Sequence, residues 1–222
     1  NIYSLKLFHG PTLAFKDVGG RFMSRLLGYF IQKEGQKGNV NVSVATSGDT
    51  GSAVANGFLG VEGIHVYVLY PKGLVSAIQE CQFTTLGQNI TAIEIDGTFD
   101  DCQRLVKTAF MDDELNAQLK LTSANSINVA RFLPQSFYYF YAYAQLKKLG
   151  KADNAVICVP SGNFGNITAG LFGKKMGLPV KRFIAANNRN DIFLEYLKTG
   201  EYKPRPSVAT LANAMDVGRS EE

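Results

Sequence analysis

Ala155-Val156-Ile157-Cys158-Val159-Pro160-Ser161-Gly162-Asn163-Phe164-Gly165-Asn166 is an apolar run that breaks into a glycine-rich turn, and a helical segment through Met176 follows it. A short apolar run bounded by turn residues reads as a buried strand, so the local order is strand, tight turn, helix. The same order occurs upstream, where Val40–Ala45 leads into Thr46-Ser47-Gly48-Asp49-Thr50-Gly51-Ser52 and another helical segment. Ile2–Phe8, His65–Tyr70, Ile90–Ile95 and Lys181–Ala186 complete the strand candidates. Strands alternating with helical segments predict an α/β protein with a mainly parallel sheet. Their continuous apolar character predicts helices on both faces, hence three-layer α/β/α units. Val18, Phe22, Leu26 and Phe30 recur every four residues, widened by Met23 and Leu27, and Val129, Leu133, Phe137, Phe140 and Ala144 form a second such stripe. Both stripes are expected to face the core. The block Phe137-Tyr138-Tyr139-Phe140-Tyr141 is read as core and helix-interface packing rather than as a stacking surface for bases or sugars.

Composition narrows the function classes. The chain has 222 residues, 45% of them hydrophobic and 19% charged, which is a globular composition. A net charge of +4 makes no polybasic arm, so no nucleic-acid partner is expected. Two histidines, His9 and His65, leave little room for a histidine-rich metal site, and no metal is expected. Three cysteines without a C-x-x-C pair argue against a disulfide framework and for a reducing compartment. Cys158, inside an apolar run, is read as a buried small hydrophobe. The opening Asn-Ile-Tyr-Ser shows no signal-peptide pattern, and no uncharged apolar stretch reaches about 18 residues. No membrane partner and a cytoplasmic location are the expectation. The N-x-S/T matches at Asn41, Asn89 and Asn166 are read as chance.

Three loops carry candidate chemistry. In His9-Gly10-Pro11-Thr12-Leu13-Ala14-Phe15-Lys16-Asp17, Gly10-Pro11 forces a turn and Asp17 is placed to cap the following helix. Lys16 then lies between apolar residues and a positive helix end, both of which disfavour an ammonium. A lysine inclined to be a neutral amine suits carbonyl chemistry, although a surface lysine with its head in water fits the same residues. In the second loop, Thr46, Ser47, Gly48, Asp49 and Thr50 are small enough to let an anion approach backbone N–H groups at a helix start. It matches neither a P-loop nor G-x-G-x-x-G, and a plain turn with an N-cap is the alternative. In the third loop, Ser161, Gly162, Asn163, Phe164, Gly165 and Asn166 form a G-x-x-G turn that suits a compact phosphate better than a dinucleotide. A simple βα turn stays open there. Together, a reactive lysine and two anion loops point to pyridoxal phosphate, with one loop for its phosphate and the other for an amino-acid carboxylate.

These stretches resemble the threonine synthase family of fold-type II pyridoxal-phosphate enzymes, whose architecture is tryptophan synthase β-like. Phe8–Asp17, Thr46–Gly51, Ser123-Ala124-Asn125-Ser126-Ile127-Asn128, Pro160–Asn166 and Asn213-Ala214-Met215-Asp216-Val217 stand in the family's order and span essentially the whole chain. The resemblance implies a lyase of threonine biosynthesis that turns O-phospho-L-homoserine and water into L-threonine and phosphate, with pyridoxal 5'-phosphate as cofactor. It implies that Lys16 is the Schiff-base lysine and proton shuttle. It places Ser161, Gly162, Asn163, Phe164, Gly165 and Asn166 on the cofactor, Thr46 to Thr50 on the substrate carboxylate, and Asn125 and Asn128 as site-lining amides. Asp49 must then turn away or be hydrogen-bonded. Lys72 and Arg131 are candidates for the substrate phosphate, though a solvated charge or a helix salt bridge explains each taken singly. The family's chains run beyond both ends of this one, so a central portion truncated at both ends is expected, lacking the group that faces the pyridine nitrogen. Residues 1–39 and 126–222 are expected to belong to an incomplete large cofactor-binding domain, with 40–125 a smaller inserted α/β domain. A monomer or homodimer acting on a small molecule is expected. The alternatives are a sibling activity such as threonine dehydratase, or a non-catalytic fragment acting through protein contacts.

Overall fold

The computed structural model describes residues 1–35, 38–126 and 128–218, so Ile127 of the quoted motif lies outside the described residues. The chain forms two compact units, Asn1–Arg131 and Phe132–Glu222. In the first unit the elements are α1 (Lys16–Lys33), β1 (Val40–Ala45), α2 (Asp49–Phe58), β2 (Ile64–Pro71), α3 (Ala77–Thr84), β3 (Ile90–Ile95), α4 (Phe99–Met111), α5 (Asp113–Leu119) and β4 (Leu121–Ser123). The four strands make one parallel sheet in the order β3-β2-β1-β4, with Val42 opposite both Val66 and Thr122. Side chains alternate across a strand, and two clusters result. Val42, Val44, Val66, Val68 and Ile90 pack with Met23, Val54, Phe58 and Phe83 from α1, α2 and α3. Ala45 packs with Cys102 and Val106 of α4, and Leu69 and Ile95 join them from the neighbouring strands. The first unit is therefore a three-layer α/β/α sandwich, and burying each such aliphatic or aromatic side chain contributes about 1.5–3 kcal/mol.

Two expectations fail in the first unit. Ile2–Phe8 forms no strand, and Ile2, Tyr3, Leu5 and Phe8 are exposed. A strand-like pattern yields a strand only where a sheet edge pairs its backbone. The stripe Val18, Phe22, Leu26, Phe30 lies on the exposed side of α1, whose buried face is Gly19, Gly20, Met23, Ser24, Gly28 and Ile31. That face is flat because α1 meets α2 backbone to backbone. A Cβ on Gly20 would lie 2.7 Å from the Ala53 carbonyl oxygen, and one on Gly57 would lie 2.7 Å from the Gly20 carbonyl carbon. Large side chains would hold the helices apart. The strand β4, short and polar, had no apolar run to announce it.

The second unit contains a 3-10 turn (Leu133–Gln135), α7 (Ser136–Lys148), β5 (Val156–Pro160), α8 (Gly165–Lys175), β6 (Arg182–Ala186), α9 (Ile192–Thr199) and a 3-10 turn (Asn213–Met215); the short α6 (Val129–Phe132) ends at its start. β5 and β6 pair in parallel, Val156 with Arg182 through Pro160 with Ala186. Tyr139 of α7 and Ile167 and Ala169 of α8 pack with Val159, Leu178 and Val180. Tyr139 meets Phe183 edge-on, 5.6 Å between centroids. Only alternate strand residues face this cluster, so the expectation of cover on both faces fails for β5. Cys158 is exposed, not a buried hydrophobe. The second stripe is corrected likewise: Val129, Leu133, Phe137 and Phe140 are exposed, and of the aromatic block Tyr139 is the buried member. Burial drives the Tyr139 hydroxyl's pKa upward.

Among the described residues no helix is long and apolar enough to cross a membrane. The asparagines of all three N-x-S/T matches spend their side chains on backbone groups: Asn41 on Leu119, Asn89 on Phe58 and Ile64, and Asn166 on Pro160 and Ile167. Burial, and then the Asp101 charge, pushes the Cys102 thiol up to about 11. Cys81 and Cys158 are exposed. In a native Ellman titration at neutral pH, Cys81 and Cys158 react promptly and Cys102 reacts only after denaturant, because the thiolate is the nucleophile. Three equally fast thiols would contradict this packing.

Candidate active site

Lys16 is the first residue of α1, and Phe15 occupies the cap position without a side-chain cap bond. Asp17 is therefore not the cap. It is buried and closes the preceding loop, accepting from the Thr12 N–H (3.1 Å) and the Thr12 hydroxyl (2.6 Å). The turn itself runs Gly10-Pro11-Thr12-Leu13, with the Leu13 N–H donating to the Gly10 carbonyl at 3.1 Å. Gly10 is required there, since a Cβ would fall 2.1 Å from Asp17 Oδ2. Lys16 is half-buried, with Nζ 5.9 Å from the centroid of the Phe15 ring. An ammonium gains about 0.5–1 kcal/mol over a ring at a partly exposed site. It loses about 0.3–1 kcal/mol at the positive end of a helix. These two contacts oppose one another.

The second loop is built on Thr46, which is buried at the end of β1. Its hydroxyl oxygen accepts from the Gly48 N–H (2.9 Å) and the Gly51 N–H (2.8 Å), and its own O–H donates to the Gly48 carbonyl (3.1 Å). Gly48, at φ 140°, turns the chain into α2. Among the described residues, the backbone N–H groups of Ser47, Asp49 and Thr50 have no protein acceptor. Asp49 is hydrogen-bonded, as the sequence reading required: its Oδ1 accepts from Gln79 Nε2 at 2.6 Å.

Helix α3 links this loop to the lysine loop, a connection that the sequence reading missed. The Ser52 hydroxyl donates to the Gln79 carbonyl (3.1 Å), Asn56 Nδ2 to the Gln82 carbonyl (2.9 Å), and Gln82 Nε2 to the Thr12 carbonyl (3.3 Å). The two segments run in one direction, Gly20 against Ala53 of α2 and Gly28 against Val61 just after α2 ends. Lys16 and Asp49 thus start two parallel, contacting helices from the same end.

Asn128 is committed to structure. Its Oδ1 accepts from the Ala130 N–H (2.9 Å) and its Nδ2 donates to the Ser123 carbonyl (2.9 Å), while the Asn125 side chain has no protein hydrogen bond among the described residues. Arg131 is no surface charge; it is buried and donates to the Ala124 carbonyl at 2.5 Å. Lys72 is solvated, 4.0 Å from Glu94.

In the second unit, the loop from Ser161 to Asn166 joins β5 to α8. The Ser161 N–H donates to the Ala186 carbonyl (2.8 Å), closing the end of the strand pair. Asn166 then braces the turn from inside. Its Nδ2 donates to the Pro160 carbonyl (2.8 Å), and its Oδ1 accepts from the Ser161 hydroxyl and the Ile167 N–H (both 2.8 Å). The buried Tyr139 hydroxyl donates to the Asn166 carbonyl at 2.5 Å. Phe164 caps α8 at φ 57°, a conformation that costs a non-glycine residue energy and is typical of functional turns. Its ring packs 4.2 Å from that of Phe193. Among the described residues, the N–H groups of Gly162, Asn163, Phe164, Gly165 and Asn166 have no protein acceptor. Gly162 passes directly under the 213–217 segment, where a Cβ would lie 2.6 Å from Met215 Cα. That segment is anchored by Asp216, whose carboxylate accepts from Asn188 Nδ2 (2.8 Å), Asn190 Nδ2 (3.2 Å), the Thr210 hydroxyl (2.7 Å) and the Thr210 N–H (2.8 Å). A cavity of about 500 Å³ lies beside the loop, lined by Asn163, Phe164, Phe193, Tyr196 and Tyr202 among others.

Lys16, Thr46 to Thr50, Asn125 and Asn128 thus belong to the first unit and Ser161 to Asn166 to the second. The chain is 57% identical over 219 residues to the threonine synthase of Haemophilus influenzae, covering 99% of this chain and 50% of that one. The crystal structure of threonine synthase from Escherichia coli superposes with a TM-score of 0.87 at 54% identity, over 97% of this chain and 49% of that one. A pyridoxal-phosphate-bound threonine synthase from Brucella melitensis gives 0.86 at 44% identity, over 97% and 46%. The chain spans about half the length of the curated relatives that it matches. Over residues 1–222 it matches the model of the pyridoxal-phosphate dependent enzymes, and the chain belongs to that family.

Proposed function

We propose that this chain carries the cofactor lysine, phosphate cradle and carboxylate loop of a threonine synthase, which converts O-phospho-L-homoserine and water into L-threonine and phosphate. The observation that carries the reading is the run of five backbone N–H groups, Gly162 to Asn166, that find no protein acceptor among the described residues at the start of α8. Such a run is suited to a phosphate monoester, because several oxygens can each accept from an amide at the positive helix end. Ser161, a residue of the proposed cofactor loop, also fixes the turn through Asn166. When bound, pyridoxal phosphate supplies a ring that stabilises a carbanion beside the substrate nitrogen.

The protein's own groups have separable tasks in this reading. Lys16 holds the cofactor aldehyde and, once released, moves the proton at the substrate Cα. The free amides of Ser47, Asp49 and Thr50 hold the substrate carboxylate, with Thr46 shaping the loop. Asn125 lines the site, and Asn128 orients the 123–131 segment that presents it. The substrate is a small molecule, and the reading includes no nucleic-acid or membrane partner, a cytoplasmic location and a monomer or homodimer. The proposed division into 1–39 with 126–222 around an inserted 40–125 draws support from the sheets, since among the described residues the strands of the first fall within 40–125 and those of the second within 126–222, whereas α1 packs on α2 within the first unit.

Two product assays test the reaction. Cofactor-saturated protein is expected to release inorganic phosphate from O-phospho-L-homoserine and to form L-threonine in equal amount. Formation of 2-oxobutanoate from L-threonine, without that phosphate release, would replace the reading by a dehydratase.

A further inference from the structure

Resting on the carboxylate role of the 46–50 loop, we propose that Gln79 is a positioning residue for the substrate, keeping the Asp49 carboxylate out of the amide site meant for the substrate's carboxylate. Asp49 creates a conflict. As the first residue of α2 it is drawn toward the same positive helix end, and the same free amides of Ser47 and Thr50, that a ligand carboxylate would use. Left alone, it can fill that site itself or repel the incoming charge.

Gln79, 30 residues away on α3, removes the conflict by donating Nε2–H to Asp49 Oδ1 at 2.6 Å. The amide is held with its donor end toward Asp49, because Gln79 Oε1 accepts from the Ser76 hydroxyl at 2.7 Å. Space for this arm comes from Gly48, where a Cβ would stand 2.5 Å from the Gln79 carboxamide. The neutrality of the donor matters as well. An arginine or lysine at this place would hold Asp49 more tightly but would present a competing cation to the substrate's carboxylate and phosphate.

The test uses the full chain with saturating cofactor and compares Gln79→Ala, Gln79→Glu and the double variant Gln79→Ala/Asp49→Asn. Gln79→Ala is expected to raise KM for O-phospho-L-homoserine about tenfold, the factor set by losing one hydrogen bond to a charged group. In Gln79→Glu, with two carboxylates in contact, KM rises further. In Gln79→Ala kcat stays within about threefold and the bound-cofactor absorbance is unchanged, since the lost interaction concerns ground-state binding. Neutralising the freed carboxylate with Asp49→Asn is expected to bring KM of the Gln79→Ala protein back toward the parent value. A double variant as impaired as Gln79→Ala, or an unmoved KM in Gln79→Ala with the parent enzyme active, overturns this proposal alone. A parent enzyme that releases no phosphate overturns the threonine synthase reading and this proposal with it.

Discussion

Lys16→Ala is expected to lower kcat by about a thousandfold or more, the range lost when a positioned acid–base or nucleophilic group is removed. It is also expected to leave the fold intact. Lys16 opens α1, so alanine loses the contact with the Phe15 ring but gains by removing a cation from the positive helix end. Each contribution is about 1 kcal/mol or less and they oppose one another, so the melting temperature stays within a few degrees. Lys16→Arg is the companion variant: it keeps a cation but supplies no amine that deprotonates near neutral pH. Loss of turnover in both variants with retained thermal stability is the expected pair of results. Substantial activity in either would remove Lys16 from the chemistry.

Gly162→Val carries the second large effect, and its cause is backbone rather than side chain. The new Cβ would start 2.6 Å from Met215 Cα and 3.0 Å from the Met215 carbonyl carbon. Neither atom belongs to a flexible side chain. The 213–217 segment resists displacement because Asp216 ties it to Asn188, Asn190 and Thr210. The 161–166 loop must yield instead, and the amides proposed to hold the cofactor phosphate move with it. Cofactor affinity is expected to fall at least about tenfold, the equivalent of one good hydrogen bond to a charged oxygen. Overpacking adds about 1–3 kcal/mol of destabilisation. Absorbance titration with cofactor, alongside melting of the cofactor-free protein, separates the two. Affinity within twofold of the parent would mean that the loop is not the phosphate cradle.

Much of the first unit was legible because strands in a parallel sheet advertise themselves. β1 and β3 lie at the residues that their apolar runs mark, and β2, β5 and β6 differ by a residue at their ends. Hydrophobic periodicity misplaced the helix faces for a physical reason. The contact between α1 and α2 is made at Gly20 and Gly57, which carry no hydrophobic signal, while Val18, Phe22, Leu26 and Phe30 remain exposed. Small residues at helical spacing, Gly20 against Gly57 and Gly28 further along α1, were the available sign of close packing.

The site divides in the same way. Its loops were visible because glycine and proline punctuate strand-to-helix turns. The braces were not: Gln79 on Asp49, Asp17 on Thr12, Tyr139 on Asn166 and Asn188 on Asp216 are joined by tertiary structure rather than by spacing. Arg131 looked like a surface charge because its burial depends on its hydrogen bond to the Ala124 carbonyl, which no local pattern encodes.

The most direct measurement is reduction of the cofactor-treated full chain with borohydride, followed by digestion and mass analysis. The account predicts one stable cofactor adduct, on the peptide containing Lys16, absent in Lys16→Ala. An adduct on another lysine, or none on the full chain, would contradict it.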